Sequence, residues 1–183
     1  MKRTEEIFSE WLVIGCQQGD KKAFELLVRQ WHPKIIRQAQ WHSKDSRAAK
    51  DIGQETWTSV IQGINSLKDP ARFPVWLHQI VFRKSADWIR AKQRERKIIA
   101  EDVKESFHSE SSDDNDKVGL MMQCLKELEP DQKIILSLFY LEERNLNEIS
   151  EILAIPIGTV KSRLFNAREK LKKRLKEKGY EKL

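Results

Sequence analysis

Apolar residues recur every three or four positions through most of the chain, and this spacing places them on one face of an α-helix. The pattern predicts helices in residues 5–16, 20–35, 48–64, from 73 onward, 118–128 and 131–141. Gly19 and Asp20 indicate the end of the first helix and the cap of the second, and Pro33 is a possible bend within the second. The segment 65–74, which holds two prolines, is predicted as a loop. The fold class that follows is all-α.

Two further helices are predicted between Asn145 and Lys176. Asn145 and Glu148 can cap the first of them, which should end near Ala154. Pro156 then predicts a tight connection, because proline lacks the amide hydrogen that a helix needs. The second helix has its apolar residues on one face, namely Val160, Leu164, Ala167, Leu171 and Leu175. This pair of helices has the form of a helix-turn-helix.

The opposite face of the second helix is polar and basic. In a helix-turn-helix the first half of this helix contacts base edges in the major groove of DNA. The candidate DNA-binding residues are Thr159, Lys161, Ser162, Arg163, Asn166 and, as a phosphate contact, Arg168. A charged helical hairpin that packs on another domain is the simpler alternative.

The long helix after residue 73 becomes strongly basic. Residues 83–97 contain seven lysines and arginines against two acids, with Trp88 among them. Cations neutralise phosphates and aromatic rings stack on unpaired bases, so this helix is a candidate for binding single-stranded DNA. A solvated basic face would have the same composition, and Trp88 is equally well explained as a core residue.

Charge changes sharply in the middle of the chain. Residues 100–116 carry seven acids and one lysine, although the whole chain of 183 residues has a formal net charge of +6. A segment so poor in apolar residues cannot bury enough surface to fold, so it predicts a flexible acidic linker. We therefore expect two small helical domains, 1–98 and 118–178, joined by a linker at 99–117.

No residue pattern predicts bond chemistry. Cys16 and Cys124 are far apart, which indicates two reduced thiols, and the four histidines lack metal-ligand spacing. No glycine-rich phosphate loop or nucleophile motif is present, and no apolar run is long enough to cross a membrane. We expect no catalytic residue, metal or other cofactor, no membrane insertion, and a cytoplasmic location.

The C-terminal run 128–175, and within it the segment "GTVKSRLFNAREKL", resembles the promoter-reading domain of bacterial sigma factors of the extracytoplasmic-function (ECF) group. The resemblance implies that this helix reads the upstream, minus-thirty-five, promoter element. The chain departs from the family at Ala154, where glycine is usual, and at Asn166, where a basic residue is usual.

The N-terminal half resembles the same group. "LVIGCQQGDKKAFELLVRQWHPKI" is similar to the opening of the ECF fold, and "AAKDIGQETWTSV" to the helix that docks on the clamp helices of the large RNA polymerase subunit. The docking residues so implied are Asp51, Gln54 and Glu55. Gly53 departs from the family pattern, and it should soften this helix by roughly 1 kcal/mol relative to alanine.

The resemblance also covers the loop and the basic helix. The loop at 65–74, with Lys68 and Arg72, is similar to the one that captures an unstacked base of the downstream, minus-ten, element. "RFPVWLHQIVFRKSADWIRAKQR" resembles the helix that reads and melts this element, with Arg83 at a position where asparagine is common. The downstream candidates are Lys68, Arg72, Arg83, Lys84, Asp87, Trp88 and Arg90.

The leading prediction is an ECF sigma factor that binds core RNA polymerase and promoter DNA, both as duplex and as melted single strand. The family implies an inhibitory anti-sigma factor as a further partner. The alternative is a stand-alone helix-turn-helix regulator whose N-terminal domain senses a ligand or binds a partner. An enzyme acting on nucleic acid is a third interpretation, which lacks any supporting constellation of acid, base or metal ligands.

Overall fold

The computed structural model describes residues 2–99, 121, 123–125 and 127–179, and all regular structure in these ranges is helical. The predicted all-α class is thus confirmed. The helices are α1 (Lys2–Gln17), α2 (Lys21–Ser43), α3 (Ser46–Gly63), α4 (Phe73–Ile99), α5 (Pro130–Leu136), α6 (Leu146–Leu153) and α7 (Ile157–Glu177). Most of the predicted linker 99–117, and with it His108, lies outside the described residues, as does Leu120 of the predicted helix 118–128.

The chain divides near residue 94 into two compact units. In the N-terminal unit, helices α1 to α4 surround one core, in which the rings of Trp31 and Phe73 meet edge to face at 5.8 Å. The loop predicted at 65–74 contains two short 3₁₀ turns, Ile64–Ser66 and Pro70–Arg72. Helix α4 already begins at Phe73, since proline at the second helical position, Pro74, sacrifices no helical hydrogen bond.

The predicted helix ends in this unit are confirmed. Gly19 has φ +85°, the left-handed conformation that ends helices, and the Asp20 carboxylate accepts the backbone N–H groups of Lys22 and Ala23 at 2.8 and 3.3 Å. Helix α2 continues without interruption through Pro33, so the chain is not divided into two helices there. Proline removes one hydrogen-bond donor from this helix of 23 residues. The tertiary packing of the helix's buried face outweighs the loss of that hydrogen bond.

Helix α1 exposes several of the apolar residues that predict it. Leu12 and Val13 are fully buried, whereas Ile7, Phe8, Trp11 and Ile14 are exposed. Apolar residues occupy two sides of this helix, and only one side can face the core. The apolar spacing of residues 5–16 thus predicts the helix but does not tell which of its apolar side chains are buried.

Gly53 has a packing role that the sequence did not indicate. It is buried, and a Cβ atom built at this position would lie 2.6 Å from Cδ1 of Ile36 on α2. Glycine therefore leaves room for the end of the Ile36 side chain, which would have to move if a Cβ atom were present. The loss of helix stability predicted for Gly53 therefore occurs at a position where packing leaves little room for a larger side chain.

The C-terminal unit consists of α5, α6, α7 and helical residues at 121 and 123–125. Among the apolar residues of the predicted helices 118–128 and 131–141, Leu128, Ile134, Ile135 and Leu138 are buried, whereas Leu125 and Phe139 are only partly buried. The helix predicted for 131–141 is α-helical only to Leu136, because the backbone widens into a π-helical turn at Ser137–Leu141.

A polar layer lies between α2 and α4 in the N-terminal unit. The Gln38 amide oxygen and Nδ1 of His78 are 2.6 Å apart, and His42 contacts the ring of Phe82 edge-on. Both ring nitrogens of His42 are buried without a hydrogen-bond partner among the described residues. Burial lowers the pKa of the His42 imidazole from 6.5 to about 4.

Acid should therefore destabilise the N-terminal unit. The unfolded chain binds a proton on His42 below pH 6.5, whereas the folded chain does not until the pH approaches 4. The free energy of unfolding is therefore unaffected by His42 above about pH 7 and falls as the pH drops toward 4. The expected loss is on the order of 3 kcal/mol. Urea unfolding followed by tryptophan fluorescence measures this unit alone, because all six tryptophans lie between residues 11 and 88.

The matched variants are His42→Leu, which should remove this part of the acid sensitivity, and His32→Gln at an exposed histidine, which should retain it. Equal acid sensitivity in His42→Leu and the wild-type protein would contradict the assignment.

Candidate functional site

Helix α3 presents the three candidate docking residues on one exposed face. Asp45 caps the helix by accepting the N–H groups of Arg47 and Ala48 at 2.8 and 3.0 Å. Ile52 and Thr56 are buried, so the neighbouring positions Asp51, Gln54 and Glu55 point away from the core and are exposed. Farther along this face, the apolar side chain of Ile61 is 59% exposed. The face is thus acidic at one end and apolar at the other.

Glu55 does not stand alone on this face. Its carboxylate lies 3.2 Å from Nζ of Lys84 on α4, so a candidate docking residue is paired with a candidate DNA-binding residue. Both side chains reach solvent, and an exposed pair of this kind contributes about 0–1 kcal/mol. The pair joins α3 to the basic part of α4, and little free energy is needed to separate it.

Lys68 and Arg72 are both exposed around the turns that join α3 to α4. Nε2 of Gln17, at the end of α1, donates to the carbonyl oxygens of Ile64 and Leu67 at 2.9 and 2.8 Å. Gln17 thus fixes the beginning of this connection. Sequence reasoning missed it, since the partners are about fifty residues away and are backbone atoms.

On helix α4 the candidate residues separate into two groups. Arg83, Asp87 and Arg90 are exposed on one face, where Arg90 donates to Asp87 at 2.8 Å. Trp88, by contrast, is half-buried and packs against the hydrophobic core. This packing favours the core interpretation of Trp88 over that of a base-stacking platform.

The turn of the helix-turn-helix forms as the sequence indicates. The Asn145 side chain accepts the N–H groups of Asn147 and Glu148, both at 3.0 Å, and Glu148 accepts the N–H of Asn145 at 2.8 Å. This reciprocal pattern is a capping box, as predicted. Ala154 follows α6 with φ +52°, a conformation in which glycine is normally found.

Helix α7 separates its two faces as predicted. Val160, Leu164, Ala167 and Leu175 are buried. Lys161, Ser162, Asn166 and Arg168 are exposed, and Thr159 and Arg163 are partly exposed. Phe165, which the sequence analysis did not single out, is exposed on the same side as Lys161 and Ser162.

Two of the α7 cations contact the rest of their own unit. Arg163 donates to the Asp131 carboxylate at 3.0 Å, and the guanidinium of Arg168 lies over the rings of Phe139 and Tyr140 at 5.0 and 5.4 Å. These contacts restrain both side chains before any partner is present. Asp131 and the aromatic pair were not predicted as part of the site, because they belong to a different helix.

No group of three His, Cys, Asp or Glu residues in the described ranges is arranged to hold a metal ion. Cys16 and Cys124 are free cysteines, and burial raises the pKa of both thiols. A search of the same residues finds no helix with the length and hydropathy needed to cross a membrane.

Two family models match the chain. Residues 27–95 match Sigma-70 region 2, and residues 124–173 match Sigma-70, region 4. The first match contains α3 and the basic part of α4, and the second contains the helix-turn-helix. A stand-alone regulator with an unrelated sensing domain is therefore excluded, because the N-terminal half is itself a sigma-factor region.

Two solved structures share the fold. The sigma factor RpoE from Bartonella quintana, in complex with the anti-sigma factor NepR, has a TM-score of 0.72 and 22% identity and covers 85% of this chain and 98% of its own. CnrH, in complex with the cytosolic domain of CnrY, has a TM-score of 0.67 and 20% identity and covers 93% of this chain and 98% of its own.

Relatives match over nearly the full length. The RNA polymerase sigma-H factor of Pseudomonas aeruginosa is 27% identical and covers 90% of this chain and 92% of its own. The ECF RNA polymerase sigma-E factor of Haemophilus influenzae is 29% identical and covers 93% of this chain and 97% of its own. These relatives and the two regional matches show that the chain belongs to the sigma-70 family and is an ECF sigma factor, which directs promoter-specific initiation of transcription.

Proposed function

We propose that the two units divide the work of initiation. The N-terminal unit (1–98) docks on core RNA polymerase through α3 and reads and opens the downstream element through the 65–74 connection and α4. The C-terminal unit (118–178) reads the upstream element through α7, and residues 99–117 join them. The observation that carries the proposal is that α3 and α7 each bury one apolar face and expose the candidate contact residues on the other.

For docking, the relevant chemistry is a pair of carboxylates and an amide on one helix face. Asp51, Gln54 and Glu55 offer acceptors, and Gln54 also donors, to a positively charged and polar partner surface. Lys84 already pairs with Glu55 at 3.2 Å, which supports the suitability of this face for a cationic group. Hydrogen bonds to charged groups contribute about 1.5–3 kcal/mol each.

Removing both carboxylates should weaken docking. We expect Asp51→Ala with Glu55→Ala to reduce affinity for core polymerase at least tenfold, as measured by competition with a labelled sigma factor. The matched control, Glu10→Ala with Glu25→Ala, removes the same charge from α1 and α2 and should bind normally. Unchanged affinity of the α3 variant would show that the docking face lies elsewhere.

For the downstream element, the exposed cations of α4 supply phosphate contacts. Arg83 and Arg90 lie on one exposed face, and Lys68 and Arg72 are exposed in the preceding connection. A strip of cations of this kind follows a nucleic-acid backbone without reading its sequence. Trp88 packs against the hydrophobic core and contributes by keeping α4 in position.

For the upstream element, Arg163 is the candidate for direct base readout. Its pairing with Asp131 restrains the guanidinium beside α7, and arginine commonly forms two hydrogen bonds with guanine in the major groove. A restrained donor loses less entropy on binding than a freely rotating one. Arg168, over its aromatic rings, is better placed to contact a phosphate from a fixed position.

Arg163→Ala should lose discrimination at one upstream base pair by about 1–3 kcal/mol and leave discrimination at the others intact. Initiation is measured on a set of promoters in which each upstream base pair is replaced in turn. Lys172→Ala, which removes an exposed cation later on α7, is the control and should retain the full preference. A uniform loss across the set would make Arg163 a phosphate contact.

An inhibitory protein partner is part of the proposal. The structure of RpoE contains the anti-sigma factor NepR, and the structure of CnrH contains the cytosolic domain of CnrY. We infer that this chain is held inactive by a protein of the same class. It acts in the cytoplasm, where core polymerase and chromosomal DNA are found, and performs no bond chemistry itself.

Run-off transcription tests the proposal as a whole. Purified protein is added to fragmented genomic DNA, with and without core polymerase that lacks other sigma factors. Start sites that need both components and share an upstream and a downstream motif are expected. Tight duplex binding by the protein alone, with no start sites, would contradict the assigned roles.

A further inference from the structure

Helix α1 exposes four large apolar side chains, and no other helix in the described ranges exposes more than two. The exposed fractions are 57% for Ile7, 44% for Phe8, 62% for Trp11 and 44% for Ile14. The rings of Phe8 and Trp11 are stacked with their centroids 6.2 Å apart, so part of this surface has a fixed arrangement. An apolar cluster of this kind is typical of a surface that contacts another protein.

The spacing of the cluster indicates that its partner is a helix. Ile7, Trp11 and Ile14 are four and then three residues apart, which is the spacing of the apolar seam in a coiled coil. Thr4 and Gln18, both exposed, continue this spacing at the two ends. The row from Thr4 to Ile14 is about 15 Å long, which suits a second helix laid along α1.

The charges of α1 favour a second copy of the same helix in the antiparallel direction. Residues 5–10 contain three acids, Glu5, Glu6 and Glu10, and residues 11–17 contain no charged residue. Antiparallel pairing places the acidic half of each helix beside the uncharged half of the other, whereas parallel pairing would set the acids of both copies side by side. It also opposes the two helix dipoles. One seam can serve both copies, because a two-fold axis brings the same surface of each copy together.

We propose that this chain forms a homodimer in which α1 packs antiparallel on α1 of a second copy. Aromatic side chains present about 150–250 Å² each and isoleucines somewhat less, so the four exposed side chains offer on the order of 400 Å² per copy. A stable complex buries about 800 Å² per partner, so we expect a weak dimer with a dissociation constant on the order of 10 µM. The dimer does not depend on the roles proposed for α3, α4 and α7.

Sedimentation equilibrium of the full chain tests the dimer. The mean mass should rise from that of one chain toward that of two over about 1–200 µM protein. Trp11→Glu with Ile14→Glu should raise the dissociation constant at least tenfold, because the seam would then bury unpaired carboxylates. Both positions are exposed in the free chain and glutamate favours helix, so this variant should fold normally, which circular dichroism checks.

The matched control places the same charge elsewhere. Tyr140→Glu with Leu141→Glu changes two apolar residues of the C-terminal unit that are 55% and 50% exposed. This variant should dimerise like the wild-type protein.

Substitution of Gln18 tests the antiparallel direction. In this direction Gln18 approaches the acidic half of the second copy, and two such contacts form in each dimer. Gln18→Lys should therefore lower the dissociation constant about fivefold, and Gln18→Glu should raise it by a similar factor. Both effects should disappear at about 1 M salt. In a parallel dimer the two copies of residue 18 would lie side by side, so an increase with both substitutions would contradict the antiparallel arrangement.

Two results would overturn the dimer itself. One is the mass of a single chain over the whole concentration range, which would leave the exposed side of α1 to a different protein. The other is a dimer that persists unchanged in the α1 double variant, which would place the contact on another surface. Sedimentation requires neither polymerase nor promoter DNA, so either result leaves the proposed function intact.

Discussion

The burial of one face of each helix is the constraint on which both units depend. On α3 the burial of Ile52, Thr56 and Val60 fixes the rotation of the helix, and this rotation turns Asp51 and Glu55 to solvent. The same constraint turns the candidate DNA-reading face of α7 outward, because Val160 and Leu164 are held in the core. The candidate contact residues therefore owe their exposure to the burial of apolar residues on the opposite faces of their helices. At Gly53 of α3, an added Cβ atom would require the end of the Ile36 side chain to move.

Local chemistry made the helices and their ends predictable from the sequence. Asp20 and Asn145 cap the helices that follow them, and Gly19 adopts the left-handed conformation expected of a helix end. These features depend on residues within four positions of one another, so the sequence displays them directly. The helix-turn-helix was predictable for the same reason.

Features that arise from tertiary packing were not predictable in this way. The partner of Arg163 is 32 residues away and that of Gln17 about fifty, and nothing local in the sequence pairs them. The exposed side of α1 was missed because apolar residues surround much of that helix, and periodicity cannot say which side a neighbour covers.

The distribution of charge along the chain favours binding to an anionic partner. Outside residues 100–116 the chain carries 33 of its 34 basic residues but only 21 of its 28 acidic residues. Several of those cations are nevertheless paired, as Lys84 is with Glu55 and Arg90 with Asp87. Exposed pairs of this kind contribute about 0–1 kcal/mol, whereas release of counterions from DNA drives binding more strongly at low salt. The pairs can therefore restrain the cations in the free protein and still exchange for phosphates. Under the proposed assignment, docking on the enzyme and contact with the downstream DNA share one pair of side chains, Glu55 and Lys84.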